Sequence, residues 1–279
     1  MKLVRVGEPG SENPAVIDNT GHARDISSLL SDIDGETLAN GEVESVRSAD
    51  ISSLPIVEGR LGPPIARPGM VMCIGLNYED HARETGAKIP KEPILFQKAT
   101  NTVVGPFDDI EIPKGSVKTD WEVELGVVIG SEASYLSDEQ AGWNAIAGYT
   151  VSHDVSERAF QMEKGGQWTK GKSCPTFNPL GPWLVTADEI GDPMNLGMVT
   201  AVNEEVLQNG NTRTMIFNPG YVVWYVSQFM KLEPGDLINT GTPPGVGIGF
   251  DPPRYLKDGD VVELTIQGLG TQRQRCVSA

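Results

Sequence analysis

At 279 residues and a formal net charge of -16, the chain has room for one large domain or two unequal ones and the wrong sign for a nucleic-acid partner. No apolar run approaches membrane-spanning length, so no membrane partner is expected. Cys73, Cys174 and Cys276 are odd in number and lack CxxC spacing, which argues against a disulfide framework or zinc knuckle and for buried thiols in a cytoplasmic protein.

Residues 1–66 read as a segment of their own. The opening residues form a short strand rather than a signal peptide. Residues 3–6 and 15–18 are short strands around polar turns, and 26–33 suggests a short helix. His22 sits beside Gly21 in a turn and reads as solvated. Residues 59–69, with Pro63, Pro64 and Pro68, read as a linker. The expectation is a small N-terminal α/β domain over 1–66.

Residues 70–75 are an apolar strand, and 76–84 turn from it into a helix. His81 and Glu84 lie three apart, so on a helix they share a face and can hydrogen-bond. A carboxylate accepting from one ring nitrogen leaves the other to act as a general base, although a surface pair has the same spacing. Residues 93–98 form another strand that ends in Lys98. That lysine either snorkels to solvent or lines a pocket, and a substrate-binding role is the reading carried forward. The acids of residues 108–113 are expected to face solvent.

Residues 119–130 read as a buried strand. Side chains alternate along a strand, so Glu122 and Glu124 share one face while Trp121, Val123, Leu125 and Val127 share the other. Gly126 is expected to leave open space beside the two acids. Adjacent carboxylates repel, and a cation between them removes the conflict. A solvated face is the bland alternative, but the apolar run 125–129 argues against it. A capping-box spacing at Ser137 predicts a helix to Ala147. The strand 148–154 then delivers Asp154, ahead of a helix expected to be capped by Ser156. Three carboxylates suit Mg²⁺ or Mn²⁺ rather than zinc.

Arg158 and Gln161 share a helical face beyond that strand, where exposure is the ordinary expectation. The glycine-rich run 165–173 has neither the Walker spacing nor a framing strand and helix. Residues 198–202 and 205–208 form a hairpin. Asn218 and Pro219 open a helix to about Met230, with Val222, Trp224, Tyr225, Val226 and Phe229 on its core side. Residues 240–247 are glycine-rich enough for backbone to approach a ligand. No GxGxxG within alternating strands and helices indicates a nucleotide cofactor.

Glu122-x-Glu124 on a strand, then Asp154-Val155-Ser156-Glu157-Arg158, then Gly241-Thr242-Pro243-Pro244-Gly245-Val246-Gly247, together resemble the fumarylacetoacetate hydrolase family over about residues 68–275. The resemblance implies an α+β, mainly β fold: a mixed β-sandwich roll over 67–279 with a small N-terminal domain before it. It implies one divalent cation on Glu122, Glu124 and Asp154, and a His81–Glu84 dyad that activates water. Lys172, four residues after Trp168, is implied to reach the active site, with Lys170 solvated. Arg158 and Gln161 are implied contacts to substrate and metal site, and Thr242 a contact to the substrate carboxylate. A homodimer is also implied.

The reaction implied is hydrolysis of the C3–C4 bond of a 2,4-diketo acid to pyruvate and a second acid. The runs Lys118-Thr119-Asp120-Trp121 and Gly165-Gly166-Gln167-Trp168 are most similar to a bacterial subgroup. It includes 2,4-diketo-3-deoxy-L-rhamnonate and fuconate hydrolases and proteins labelled ureidoglycolate lyases, so a diketo sugar acid is the expected substrate. The alternatives on the same metal site are a ureidoglycolate lyase, an oxaloacetate decarboxylase or a hydroxymuconate-type isomerase. Leu76 stands where some family members have arginine, which disfavours an oxaloacetate-type carboxylate contact. A cation-stabilised binding protein is the non-enzymatic alternative, and it leaves the His81–Glu84 pair and Lys172 without a purpose.

Overall fold

The structure is a computed structural model that describes residues 1–279 except Thr85 and Ala87. Strand accounts for 32% of it and helix for 20%, the mainly β, α+β character expected. A nine-stranded sheet runs in the order Ala23–Asp25, Asn13–Ile17, Lys2–Val6, Leu184–Thr186, Ile146–His153, Val123–Ile129, Leu237–Asn239, Val71–Gly75, Ile94–Lys98. Its neighbours are antiparallel except Leu237–Asn239, which lies parallel to Val71–Gly75. A five-stranded sheet follows the order Glu205–Asn211, Gly197–Val202, Val261–Ile266, Gly270–Ser278, Ile110–Ile112.

The two sheets share one core. Val123, Leu125 and Val127 from the first meet Met198, Val262 and Leu264 from the second. The opposite face of the large sheet, with Cys73, Val128 and Leu237, is covered by Ile26, Ile33 and Val46 from the N-terminal segment. Burial on both faces explains the unbroken apolar run at the end of Val123–Ile129. Residues 1–66 are joined to this sheet by register, with Leu3 opposite both Leu184 and Val16. No helix among the described residues is long and apolar enough to cross a membrane.

Two local features position the acids. The predicted strand 119–130 breaks after Asp120, because the Trp121 amide donates to Asp120 Oδ1 (2.8 Å) instead of to a neighbouring strand. Thr119–Asp120 pairs instead with Ser156–Glu157. Beyond the break, Ser152 lies opposite Glu124 and His153 opposite Val123. The Asp154 amide then donates to the Glu122 carbonyl at 3.0 Å, which brings the third acid beside the first two.

Several elements differ from expectation for local reasons. Residues 26–33 form no helix. Asp34 accepts from the Glu36 and Thr37 amides, so helix starts at Gly35–Ala39, followed by Val43–Ser48. The 59–69 stretch is packed rather than solvated, with Ile65 fully buried. The helix after Ser137 is capped by Asp138 and stops at Asn144, because Ile146 already pairs with Ile129. Glu157, not Ser156, caps Arg158–Met162. The helix opened by Asn218 ends at Ser227 and leaves Phe229 62% exposed, so Phe229 is no core residue. Asp108 is paired to Arg60, and Gly126 leaves no space because the Thr150 and Ser152 side chains fill it.

Thr169–Lys172, the short helix that bears Lys172, packs against Arg158–Met162 through Gly171. A Cβ on Gly171 would collide with the Glu157 carbonyl and the Gln161 amide. Gly171→Ala should therefore lower stability by about 1–3 kcal/mol, the cost of overpacking. The readout is the chemical-denaturation midpoint, and an unchanged midpoint would show that the two helices do not pack this closely.

Candidate active site

Glu122, Glu124 and Asp154 each place a carboxylate oxygen within 4.8 Å of the other two, and all three residues are buried. Asp120, two residues before Glu122, is buried as well. Positive charge surrounds them unevenly. Lys172 Nζ bridges Glu122 Oε2 (2.8 Å) and Asp154 Oδ2 (2.7 Å). Lys98 Nζ pairs with Asp154 Oδ1 and donates to the Val155 carbonyl at 3.1 Å. Arg158 Nε donates to Asp120 Oδ2 at 2.8 Å, and its Nη2 lies 2.7 Å from Glu122 Oε1, an ion-pair distance without hydrogen-bond geometry.

Glu124 has no such partner: among the described residues no cationic side chain lies within ion-pair range of it. The Gly241 amide donates to its Oε2 at 2.8 Å, and Gly241 takes φ +96°, a backbone region that glycine occupies without strain. Burial and the neighbouring Asp154 and Glu122 charges push the Glu124 pKa well above its ordinary value. Burial also acts to raise Glu122, but Lys172 and Arg158 outweigh it and hold that acid below the usual carboxylate range. Lys172 is raised in turn: Asp154 and Glu122 overcome the opposing effect of its own burial.

This donor set fits a hard divalent cation. Three basic side chains face four buried carboxylates, and Glu124 is the acid left without a counter-charge. A divalent ion would supply that charge and favour the ionised form of Glu124. Oxygen ligands alone favour Mg²⁺ or Mn²⁺ over zinc.

The cavity beside the acids measures about 460 Å³, within the ~300–1,000 Å³ range of small-molecule pockets. His81, Glu84, Arg158, Gln161, Lys172 and Thr242 line it together with Glu122 and Glu124. His81 Nδ1 and Glu84 Oε2 are 3.1 Å apart on the helix Glu79–Glu84, so the expected pair forms, and it faces a cavity rather than bulk solvent. The Gly245 amide donates to Glu84 Oε1 at 2.9 Å and ties the pair to the 240–247 loop. Arg158 and Gln161 are buried and joined to each other, Nη1 to Oε1 at 3.2 Å. Lys98, expected in a substrate-binding role, is not among the residues that line the cavity; its amine is held by Asp154 and the Val155 carbonyl.

Three supporting residues escaped the sequence reading. Asp120 Oδ1 accepts from the Gly247 amide at 2.6 Å and Oδ2 from the Ile248 amide at 3.0 Å, so one acid holds both Arg158 and the loop. Strand alternation through 120, 122 and 124 was the available signal. Gln208 donates to Thr242 Oγ1 at 2.9 Å while the Thr242 hydroxyl donates to the Val123 carbonyl at 2.9 Å, which fixes its orientation. Trp168 is the third: it is part of the cavity wall as well as a marker for Lys172. Nothing local announced Gln208 or the role of Trp168, since both act across long sequence separations.

Residues 70–277 match the family described as Fumarylacetoacetate (FAA) hydrolase C-terminal, and the chain belongs to the fumarylacetoacetate hydrolase family. It is thus an enzyme of the hydrolase and isomerase superfamily that the family defines. A Burkholderia multivorans protein whose name carries no substrate, only the class hydrolase, is 51% identical over 277 residues, 98% of each chain. The fumarylacetoacetate hydrolase of psychrophilic Exiguobacterium antarcticum is similar with a TM-score of 0.86 and 34% identity, covering 100% of both chains. Maleylpyruvate hydrolase from Sphingobium sp. SYK-6, solved in complex with manganese(II) ion and pyruvate, is similar with a TM-score of 0.83 and 25% identity, again over 100% of both chains.

Glu124→Gln should separate cation binding from folding. The variant removes a buried acid that lacks a basic partner and keeps an oxygen for the Gly241 amide. Its metal-free melting temperature should equal or exceed that of the wild type. Saturating Mg²⁺ or Mn²⁺ should stabilise the wild type, by about 2.7 kcal/mol at a hundredfold excess over Kd, and leave the variant unmoved. Equal cation-induced shifts in both proteins would remove Glu124 from the ligand set.

Proposed function

We propose that the enzyme is a divalent-cation-dependent hydrolase that cleaves the C3–C4 bond of a 2,4-diketo acid of the acylpyruvate type, releasing pyruvate and a second acid. The observation that carries this reading is that the His81–Glu84 pair faces the same cavity as Glu122 and Glu124. The pyruvate and manganese(II) ion bound by the Sphingobium maleylpyruvate hydrolase support it.

Glu122, Glu124 and Asp154 would hold Mg²⁺ or Mn²⁺, which when bound supplies Lewis-acid stabilisation of the oxo acid and its enolate. Lys172 and Arg158 add fixed positive charge for the substrate carboxylate and for the negative charge that develops on the leaving enolate. Glu84 accepts from His81 Nδ1–H and so leaves Nε2 in the tautomer that takes a proton. His81 removes one proton from water as the water oxygen bonds to C4. The C3–C4 bond then breaks, its electron pair stays with C3 as the pyruvate enolate, and the proton on His81 is returned to C3. The second water proton leaves with the new carboxylic acid, so the sum is diketo acid plus water to two acids. Thr242 and Gln161, held by Gln208 and Arg158, orient the bound acid.

His81→Ala should slow pyruvate release from an acylpyruvate by roughly 10²–10⁴, the contribution typical of a general base, with cation binding retained. Chelation should abolish the wild-type reaction and added Mg²⁺ or Mn²⁺ should restore it. A wild-type rate in the variant, or in a metal-free preparation, would overturn the reading. Decarboxylation and isomerisation need no activated water, so activity of those kinds that survives in His81→Ala would favour the family's other chemistries.

We further propose a small-molecule partner only, and assembly as a homodimer through the catalytic region, on the strength of the family resemblance. Light scattering should return twice the 30.0 kDa chain mass; a mass equal to one chain would remove the dimer.

A further inference from the structure

The cavity is lined by two chemically different sets of residues, which meet where Lys172 Nζ lies 5.1 Å from the Phe96 ring centroid. The ionic wall holds the acids, Arg158, Lys172 and the His81–Glu84 pair, as described above. The other is formed by Ile74, Leu76, Phe96, Met162, Trp168 and Ile248. Part of this wall is continuous. The Phe96 and Trp168 rings meet edge-on with centroids 5.2 Å apart, and Trp168 presses against Gly75 so closely that a Cβ there would sit 2.7 Å from its ring. Leu76 follows Gly75 directly.

We propose that this wall is an acyl subsite for an uncharged alkyl tail, and that it selects against tails bearing a carboxylate or several hydroxyls. The proposal rests on the acylpyruvate reading of the site. A tail carboxylate would need a cation, but Arg158 and Lys172 are the only Arg and Lys on the cavity wall among the described residues. Both are already committed, Lys172 to Glu122 and Asp154 and Arg158 to Asp120 and Glu122, and in the proposed reaction the charge they still offer serves the carboxylate at the pyruvate end. Glu84, also on the wall, would repel a second carboxylate. Hydroxyls packed against the Phe96 and Leu76 side chains, which offer no donor or acceptor, would be stripped of water without a partner there, which opposes binding. This tail differs from the sugar acid that the resemblance implied.

Leu76 supplies a second, independent observation. Its φ is +52°, a left-handed conformation that glycine or asparagine adopts readily and leucine does not. A strained apolar residue on a cavity wall marks a position where the side chain, rather than backbone ease, is what the site requires.

The test compares hexanoylpyruvate with counterparts of equal length whose tails end in a carboxylate or carry hydroxyls, by pyruvate release. Hexanoylpyruvate should lead in kcat/KM by at least ~10-fold, the scale on which apolar pockets discriminate. Leu76→Asn suits the left-handed backbone and should keep the wild-type denaturation midpoint. It should lose most of that preference, chiefly through a higher KM for hexanoylpyruvate. A polar tail cleaved as well as hexanoylpyruvate, or a preference unchanged in a folded Leu76→Asn, would overturn the subsite. A binding measurement on the wild type keeps the subsite separate from the reaction: calorimetry of 2-oxononanoate against 2-oxononanedioate with Mg²⁺ present. Tighter binding of the monoacid upholds the subsite even if no diketo acid is cleaved, in which case only the proposed reaction falls. Equal or weaker binding of the monoacid overturns the subsite whatever the catalytic result.

Discussion

Four carboxylates crowded into the interior of one protein repel each other and resist leaving water, and much of the architecture around residues 118–172 answers that problem. Asp154 is held from two sides by Lys98 and Lys172, and Glu122 by Lys172 and Arg158. Each of these bases sits where a packed element puts it. Lys98 ends a strand of the large sheet, Arg158 opens a helix capped by Glu157, and Lys172 closes a helix that Gly171 allows to lie against it. Breaking one such buried pair typically costs ~3–5 kcal/mol, because the abandoned charge has nowhere to go. Glu124 alone is left without a basic partner. That imbalance is one a bound cation would offset.

The same electrostatics connects parts of the chain that lie far apart. Asp120 accepts from its neighbour Trp121, from Arg158, and from the Gly247 and Ile248 amides. These bonds break the strand before Glu122, orient Arg158 on the next helix and anchor the end of the 240–247 loop. Glu84 makes the complementary link from the other side, joining His81 to Gly245. The 240–247 loop is therefore tied both to the acids and to the pair that would handle water, so a displacement of the loop would alter both.

Much of the site was legible because its logic is local. Alternation put Glu122 and Glu124 on one face, and three-residue spacing put His81 beside Glu84; both depend only on strand and helix periods. The cap at Asn218 and the hairpin turn at Asn203 and Glu204 were readable for the same reason. The misreadings came where two local options competed. Ser137 and Asp138 both qualify as caps, and Asp138 takes the role; Ser156 is paired in a strand with Asp120, which leaves Glu157 to accept from the Ala159 amide. The stretch 26–33 forms no helix, and the Asp34 cap starts one only at Gly35.

What the sequence determined by itself was the chemistry available: a pair of acids on one strand face, a third near the next strand's end, a His–Glu pair, and a mainly β chain able to bury them. Only the tertiary structure decided how these act together. Strand register set Asp154 beside Glu122, and the Lys98 amine reaches Asp154 although its strand lies four places away in the sheet order. The apolar wall is likewise a product of assembly, with Leu76, Phe96, Trp168 and Ile248 drawn from four separate segments. Periodicity fixes which way a side chain faces along its own element, but not which other element lies across from it. That depends on long-range pairing and packing, to which no single segment holds the key.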